Sequence, residues 1–171
     1  MKATCSRKVR SFVLGVAINI GLGFMSSAFA ADPSIIVNPD GKVTYLRTLG
    51  GAFTVATDIN DSGQVVGYSV TGNDRYHAFM TGPNGVGMTD LGTLGGDYSG
   101  GTGINAAGQA VGESATGGGG EYHAFMTGPN GAGMTDLGTL GGTYSLAYGI
   151  NDSPGFTWKG DTLISPSRLR A

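Results

Sequence analysis

Residues 77–96 read HAFMTGPNGVGMTDLGTLGG, and residues 123–142 read HAFMTGPNGAGMTDLGTLGG. The two stretches differ only at Val86 and Ala132 and stand 46 positions apart. A shorter match lies upstream, where Leu49-Gly50-Gly51 aligns with Leu94-Gly95-Gly96 and Leu140-Gly141-Gly142. Between these landmarks Ile59-Asn60, Ile104-Asn105 and Ile150-Asn151 align. So do Gly63-Gln64 with Gly108-Gln109 and Val66-Gly67 with Val111-Gly112. The spacing is 45 and then 46 residues, the extra residue falling in TGGGGEYH (116–123) against TGNDRYH (71–77). One insertion in a surface loop costs little closure entropy. A fixed period of about 40–50 residues is the mark of propellers and other stacked arrays.

Within one period the local signals are all β. Thr54 to Ile59 is a β-branched run, and Asn60-Asp61-Ser62-Gly63 has turn chemistry with glycine where φ is positive. Gln64 to Val70 is a second strand, Thr71 to Asp74 a loop, and Tyr76 to Met80 a third strand. Gly82-Pro83-Asn84-Gly85 breaks the pattern, and Met88 to Leu94 supplies a fourth strand ending at Gly95-Gly96. The expected fold is all-β: repeated four-stranded antiparallel units, propeller-like and incomplete. Small residues recur on one face of each first strand (Ala56, Gly101 with Gly103, Ala147 with Gly149), as a crowded inner strand requires. Each unit has too few large apolar residues to bury a core alone, so stacking must create one. That also accounts for the 33 glycines among 171 residues, against a usual share of about 7%.

The expected organisation is a secretory signal peptide over 1–30, a β-repeat domain over 31–160 and a non-repeat tail over 161–171. The repeat domain divides into a half unit 34–51, units 52–96 and 97–142, and a damaged unit 143–160. In the damaged unit the GQVVG strand is missing, and Phe156 to Gly160 aligns with the strand that holds Phe125. The signal reading rests on Lys2, Arg7, Lys8 and Arg10, the apolar run from Ser11 to Met25, and Ala28-Phe29-Ala30 as a cleavage site. Export to the periplasm or the extracellular space is therefore expected, with no membrane attachment after cleavage. The one cysteine, Cys5, lies in that segment, so the remainder has no thiol chemistry. All twelve acidic but only six of the ten basic residues follow residue 30, which leaves a net charge of −6. A chain so acidic and without a basic patch is a poor fit to nucleic acid.

Together, Asp90-Leu91-Gly92-Thr93-Leu94-Gly95-Gly96, Gly103-Ile104-Asn105-Ala106-Ala107-Gly108-Gln109-Ala110-Val111-Gly112 and His123-Ala124-Phe125 resemble the pattern of the bacterial HAF-repeat family of extracellular repeat proteins. The resemblance runs over about residues 42–160. It implies a secreted β-repeat protein with no enzymatic activity and no cofactor. The low number of copies and the broken last one depart from the family pattern.

Residue chemistry nominates no catalytic, cofactor-binding or metal-binding set. His77 and His123 occupy one repeat position and read as strand histidines that tie down a loop. Asp58-Ile59-Asn60-Asp61-Ser62-Gly63 resembles the start of a calcium loop, but its twelfth position is Ser69 and the next copy lacks the carboxylates. Asp90 and Asp136 head the DLGTLGG segments, where an aspartate commonly bonds a turn amide. The glycine run 117–120 has no phosphate-binding lysine. The aromatics are the best binding candidates: Tyr68, Tyr76, Tyr122, Tyr148 and Trp158, with Tyr144 beside them, can line a sugar- or protein-binding surface or pack between units. The expected function is a non-enzymatic surface-interaction or adhesion module. Its partner is an unidentified protein or glycan, and self-association is a candidate route to completing the array. A carbohydrate-active hydrolase on a propeller-like scaffold and a fragment without independent function are the alternatives.

Overall fold

The computed structural model describes residues 34–37 and 41–152, and residues 156–160 as a strand without their side chains. The expected signal segment 1–30 and the tail 161–171 lie outside the described residues. A short hairpin pairs β1 (Ile35–Val37) with β2 (Val43–Tyr45). Four strands follow, each antiparallel to the next: β3 (Gly50–Ile59), β4 (Val65–Thr71), β5 (Tyr76–Met80) and β6 (Thr89–Gly92). The same order of pairing runs through β7 (Gly95–Ile104), β8 (Ala110–Thr116), β9 (Tyr122–Thr127) and β10 (Met134–Asp136). A last hairpin joins β11 (Ser145–Ile150) to β12 (Phe156–Gly160). The chain is all-β. The sheets are of mixed orientation, because Tyr76 of β5 meets Tyr98 of β7 in parallel and links β3–β10 into one eight-stranded sheet. That sheet does not close on itself.

Equivalent residues keep equivalent partners. Ala56 faces Gly67 and Gly67 faces Phe79, as Gly101 faces Gly112 and Gly112 faces Phe125. Phe79 and Phe125 are fully buried, and their rings lie over the glycine opposite. A Cβ on Gly112 would run into the Gly100 carbonyl and lie 2.9 Å from the Phe125 ring. The glycine of each Val-Gly pair is thus required by a close backbone approach. The turn after each first strand is held by its asparagine. Asn60 Oδ1 accepts from the amides of Ser62 (3.1 Å) and Gln64 (3.0 Å), and Asn105 Oδ1 from that of Gln109 (2.9 Å). This Asx geometry leaves Gly63 and Gly108 at positive φ. The Gly-Pro-Asn-Gly breaker forms a 3-10 turn over Pro83–Gly85, and its Gly85 amide donates to Gly63 O (2.9 Å).

Two boundaries differ from expectation. Gly50-Gly51 and Gly95-Gly96 open the first strand of the following set instead of ending the fourth, whereas Gly141-Gly142 lies ahead of β11, which starts at Ser145. Gly50 and Gly95 sit at φ of 104° and 108°, and a register shift follows each. A Cβ on Gly51 would lie 2.7 Å from the Val70 carbonyl carbon, so the strand can start there only because both residues are glycine. The second difference concerns β12. Phe156 to Gly160 does not take the place of the Phe125 strand. It pairs directly with β11 through Ala147–Trp158, Gly149–Thr157 and Ile150–Phe156. That is the register of β8 on β7, where Gly101 meets Gly112, Gly103 meets Val111 and Ile104 meets Ala110. A strand that returns directly after the turn at residue 151 meets its immediate predecessor, so order along the chain outweighs the aromatic likeness to β9.

The core is divided among three small clusters. Ile36, Leu46, Val65 and Phe79 form the first; Val66, Met80, Ile104 and Ala110 the second; Val111, Ala124 and Ala147 the third. Each joins residues from successive sets of strands. Buried hydroxyls hold the rest. Ser69 and Ser114 Oγ accept from the amides of Leu49 (2.9 Å) and Leu94 (2.8 Å). Ser99 and Ser145 Oγ accept from those of Ala78 and Ala124, both at 2.8 Å. Hydrogen bonds also step from each first strand to the next. Thr57 Oγ1 donates to Gly101 O (2.8 Å), Asn60 Nδ2 to Asn105 O (2.9 Å) and Asn105 Nδ2 to Asn151 O (3.2 Å). Asp58 Oδ2 accepts from the Ile104 amide at 2.9 Å. In the segment that resembles a calcium loop, the Asp58 carboxylate and Asn60 Oδ1 are therefore engaged with backbone amides.

Candidate functional site

The strand order gathers the tyrosines. Phe53, Tyr98 and Tyr144 occupy one position, each immediately before the buried Thr54, Ser99 or Ser145. Tyr76 and Tyr122 open β5 and β9, and backbone bridges set Tyr76 beside Tyr98 and Tyr122 beside Tyr144. The result is one continuous row, Phe53–Tyr76–Tyr98–Tyr122–Tyr144, with successive ring centroids 5.9, 6.5, 5.8 and 6.3 Å apart. Tyr68 flanks it, 6.3 Å from Tyr76. The contacts are tilted or edge-on, as the ring quadrupoles prefer. The rings are part-buried, and Tyr76 is exposed at 40%.

Polar groups line the same row. Glu113 stands where the preceding copy has Tyr68, and its carboxylate accepts from the hydroxyls of Tyr98 (3.3 Å) and Tyr144 (2.7 Å). Burial first, and then the Glu113 charge and hydrogen bond, push the Tyr98 hydroxyl up to about 12. Tyr144 is raised by the same causes. Beside Tyr76 and Tyr98, Arg75 forms a surface ion pair with Asp97.

Of the residues nominated from sequence, the structure brings Tyr68, Tyr76, Tyr122 and Tyr144 together. Tyr148 is exposed at the register shift between Ala147 and Gly149 of β11. Among the described residues no ring contact ties it to the row. Trp158 pairs through its backbone with Ala147, and its side chain lies outside the described residues. Phe53 and Tyr98 were not nominated. Their alignment with Tyr144 was the available signal, and a repeat position that is aromatic in all three copies stands out once the strands are placed.

The histidines lie on the carboxylates that head the DLGTLGG segments. His77 Nδ1 is 2.8 Å from Asp90 Oδ2, and His123 Nδ1 is 2.9 Å from Asp136 Oδ2. The same aspartates accept from the amides of Gly92 and Gly138, both at 2.7 Å. Burial opposes ionisation of Asp136. The hydrogen bonds from His123 and the Gly138 amide and the His123 charge outweigh it and hold that carboxyl below its ordinary value. Each pair fastens a fourth strand to a third strand, Asp90 on β6 to His77 on β5 and Asp136 on β10 to His123 on β9. Among the described residues no group of three His, Cys, Asp or Glu is placed to hold a metal ion, and no helix is long and apolar enough to cross a membrane. No family model, curated protein or solved structure matches the chain.

Proposed function

We propose that the chain is a secreted, non-enzymatic binding module of the HAF-repeat type. In this reading β3–β6 and β7–β10 are successive propeller-like units, and the tyrosine row that crosses them is the contact surface for a surface glycan or protein. The observation that carries the reading is the continuity of that row: five rings from three sets of strands stand in contact along one line. Tyrosine joins an apolar face to a polar tip, and few other side chains dominate recognition surfaces as it does. The rings lose little conformational freedom on binding because strand pairing already positions them. The paired His and Asp side chains are spent on local hydrogen bonds, consistent with a scaffold role.

The test is direct binding of the full chain to immobilised glycans and to surface proteins of neighbouring cells. Tyr76→Ala and Tyr122→Ala should each weaken that binding about tenfold, or about 1.4 kcal/mol. Binding that both variants leave intact, or turnover of a polysaccharide substrate, would reject the reading.

A further inference from the structure

We infer that β1 and β2 of one copy complete the sheet begun by β11 and β12 of a second copy. The inference rests on the four-stranded repeat reading above and is independent of what the tyrosine row binds.

The hairpin β1–β2 has the registers of a third and fourth strand. Ile35 pairs with Tyr45 and Ile36 with Thr44, as Phe79 pairs with Asp90 and Met80 with Thr89. The Leu46 amide donates to Ser34 O as the Leu137 amide donates to Ala124 O, both at 2.9 Å. One face of this hairpin is used. Ile36 and Leu46 pack on Val65 and Phe79, as Met80 and Leu91 pack on Ala110 and Ile104. The other face is open. Ile35 holds the position of Phe79 and is 39% exposed, where Phe79 is fully buried. Val37 holds that of Thr81 and is 64% exposed against 2%. In the complete sets a second strand lies beside these residues; among the described residues β1 pairs with β2 alone.

The other end of the chain has the complementary half. β11 and β12 keep the registers of a first and second strand, and among the described residues β12 pairs with β11 alone. An edge that has strands one and two thus meets an edge that has strands three and four. Setting β12 beside β1 as β4 lies beside β5 places Lys159 opposite Ser34, Trp158 opposite Ile35 and Thr157 opposite Ile36. The order β11–β12–β1–β2 then repeats the strand order β7–β8–β9–β10, with Trp158 at the position of Gly112 and the smaller Ile35 at that of Phe125. It sits between the end of one copy and the start of the next and covers Ile35 and Val37.

A second copy fits this edge better than the chain's own far end. Among the described residues each copy brings two complete sets, β3–β6 and β7–β10, and each seam completes one more. Closing one copy on itself leaves three sets, below the range of about four to eight that rings of such sheets hold. Two copies joined at both seams carry six. Head-to-tail contacts of this kind close into a ring when the rotation per copy allows it.

Native mass spectrometry and sedimentation of the full chain, recovered after expression with its own N-terminus, should find two copies per particle. Val37→Glu places a charge on a side chain that is exposed in the single copy and buried at the seam. It should convert the particle to one copy while the strand signal in circular dichroism persists. In a Cys5→Ser background, Ser34→Cys on one copy and Lys159→Cys on another should form a disulfide between copies on mixing, since opposed strand residues lie within bridging distance. A wild-type particle of one copy, a two-copy Val37→Glu variant, or no mixed disulfide would each overturn the inference. Tyr76→Ala should leave the mass unchanged, so failure of assembly and failure of ligand binding are read separately.

Discussion

Gly67 and Gly112 show how tightly single positions are determined. Each lets a first-strand carbonyl and a phenylalanine ring occupy the volume of a missing side chain. Gly67→Ala or Gly112→Ala should therefore lower stability by about 1–3 kcal/mol, the usual cost of overpacking, read from the midpoint of denaturant unfolding. Gly87 and Gly133 sit at positive φ with open space around them, and alanine there should cost only the smaller backbone strain. The tyrosine row makes a pH prediction. Tyr98 is raised from 10 to about 12, so the folded state holds this proton more tightly than the unfolded one. That contribution is complete below pH 10 and is lost as pH climbs through about 12. The melting temperature should fall across this window, and Glu113→Gln should reduce the fall by removing the charge that adds to the effect of burial. At the acid end the sign reverses. Asp136 is lowered from 3.8, so its contribution is present above that value and is lost as pH drops below it.

Strands in this protein are joined by hydroxyls as much as by apolar contact. Ser69, Ser99, Ser114 and Ser145 are fully buried, and each accepts from a backbone amide about 20 positions away in the chain. Ser114→Ala strands the Leu94 amide. It should cost about 1–3 kcal/mol, the desolvation penalty of an unpaired buried donor, measured by thermal or denaturant unfolding. Hydrogen exchange should locate the loss at the start of β7, where that amide belongs. The Thr57 bond to Gly101 O and the Asn60 bond to Asn105 O link one first strand to the next. A Cβ on Gly101 would run into the Val66 side chain, and one on Gly103 would lie 3.2 Å from Gly149 Cα, so small residues on these strands let neighbouring backbones come close. The small first-strand residues are legible from sequence as a crowding signal. The identity of the crowding neighbour is not, because it comes from another copy of the pattern about 45 positions away.

Across the chain, stability is shared between neighbouring sets of strands, since each of the three apolar clusters spans a junction. In such arrays stability is a sum of weak units and the interfaces between them. If copies join through their incomplete halves, the melting temperature should rise with protein concentration, because association stabilises the folded state by mass action. A melting temperature that stays constant over a hundredfold dilution would speak against association.

The amino-acid sequence alone determined the β class, the period, the turns and the strand order within a period. These follow from local chemistry: β-branched runs, Asx turns, Gly-Pro-Asn-Gly breakers and a near-identical stretch repeated 46 positions on. It also named four of the tyrosines that come together, Tyr68, Tyr76, Tyr122 and Tyr144. Tertiary structure decided what depends on contact across copies. It set Tyr98 between Tyr76 and Tyr122, placed the Glu113 carboxylate where it accepts from two tyrosine hydroxyls, started β3 and β7 at the Gly-Gly pairs, and assigned Phe156–Gly160 to β11. Periodicity along a chain reports which way each strand's side chains alternate, whereas the partner of each strand is chosen in space, by which edge lies open beside it.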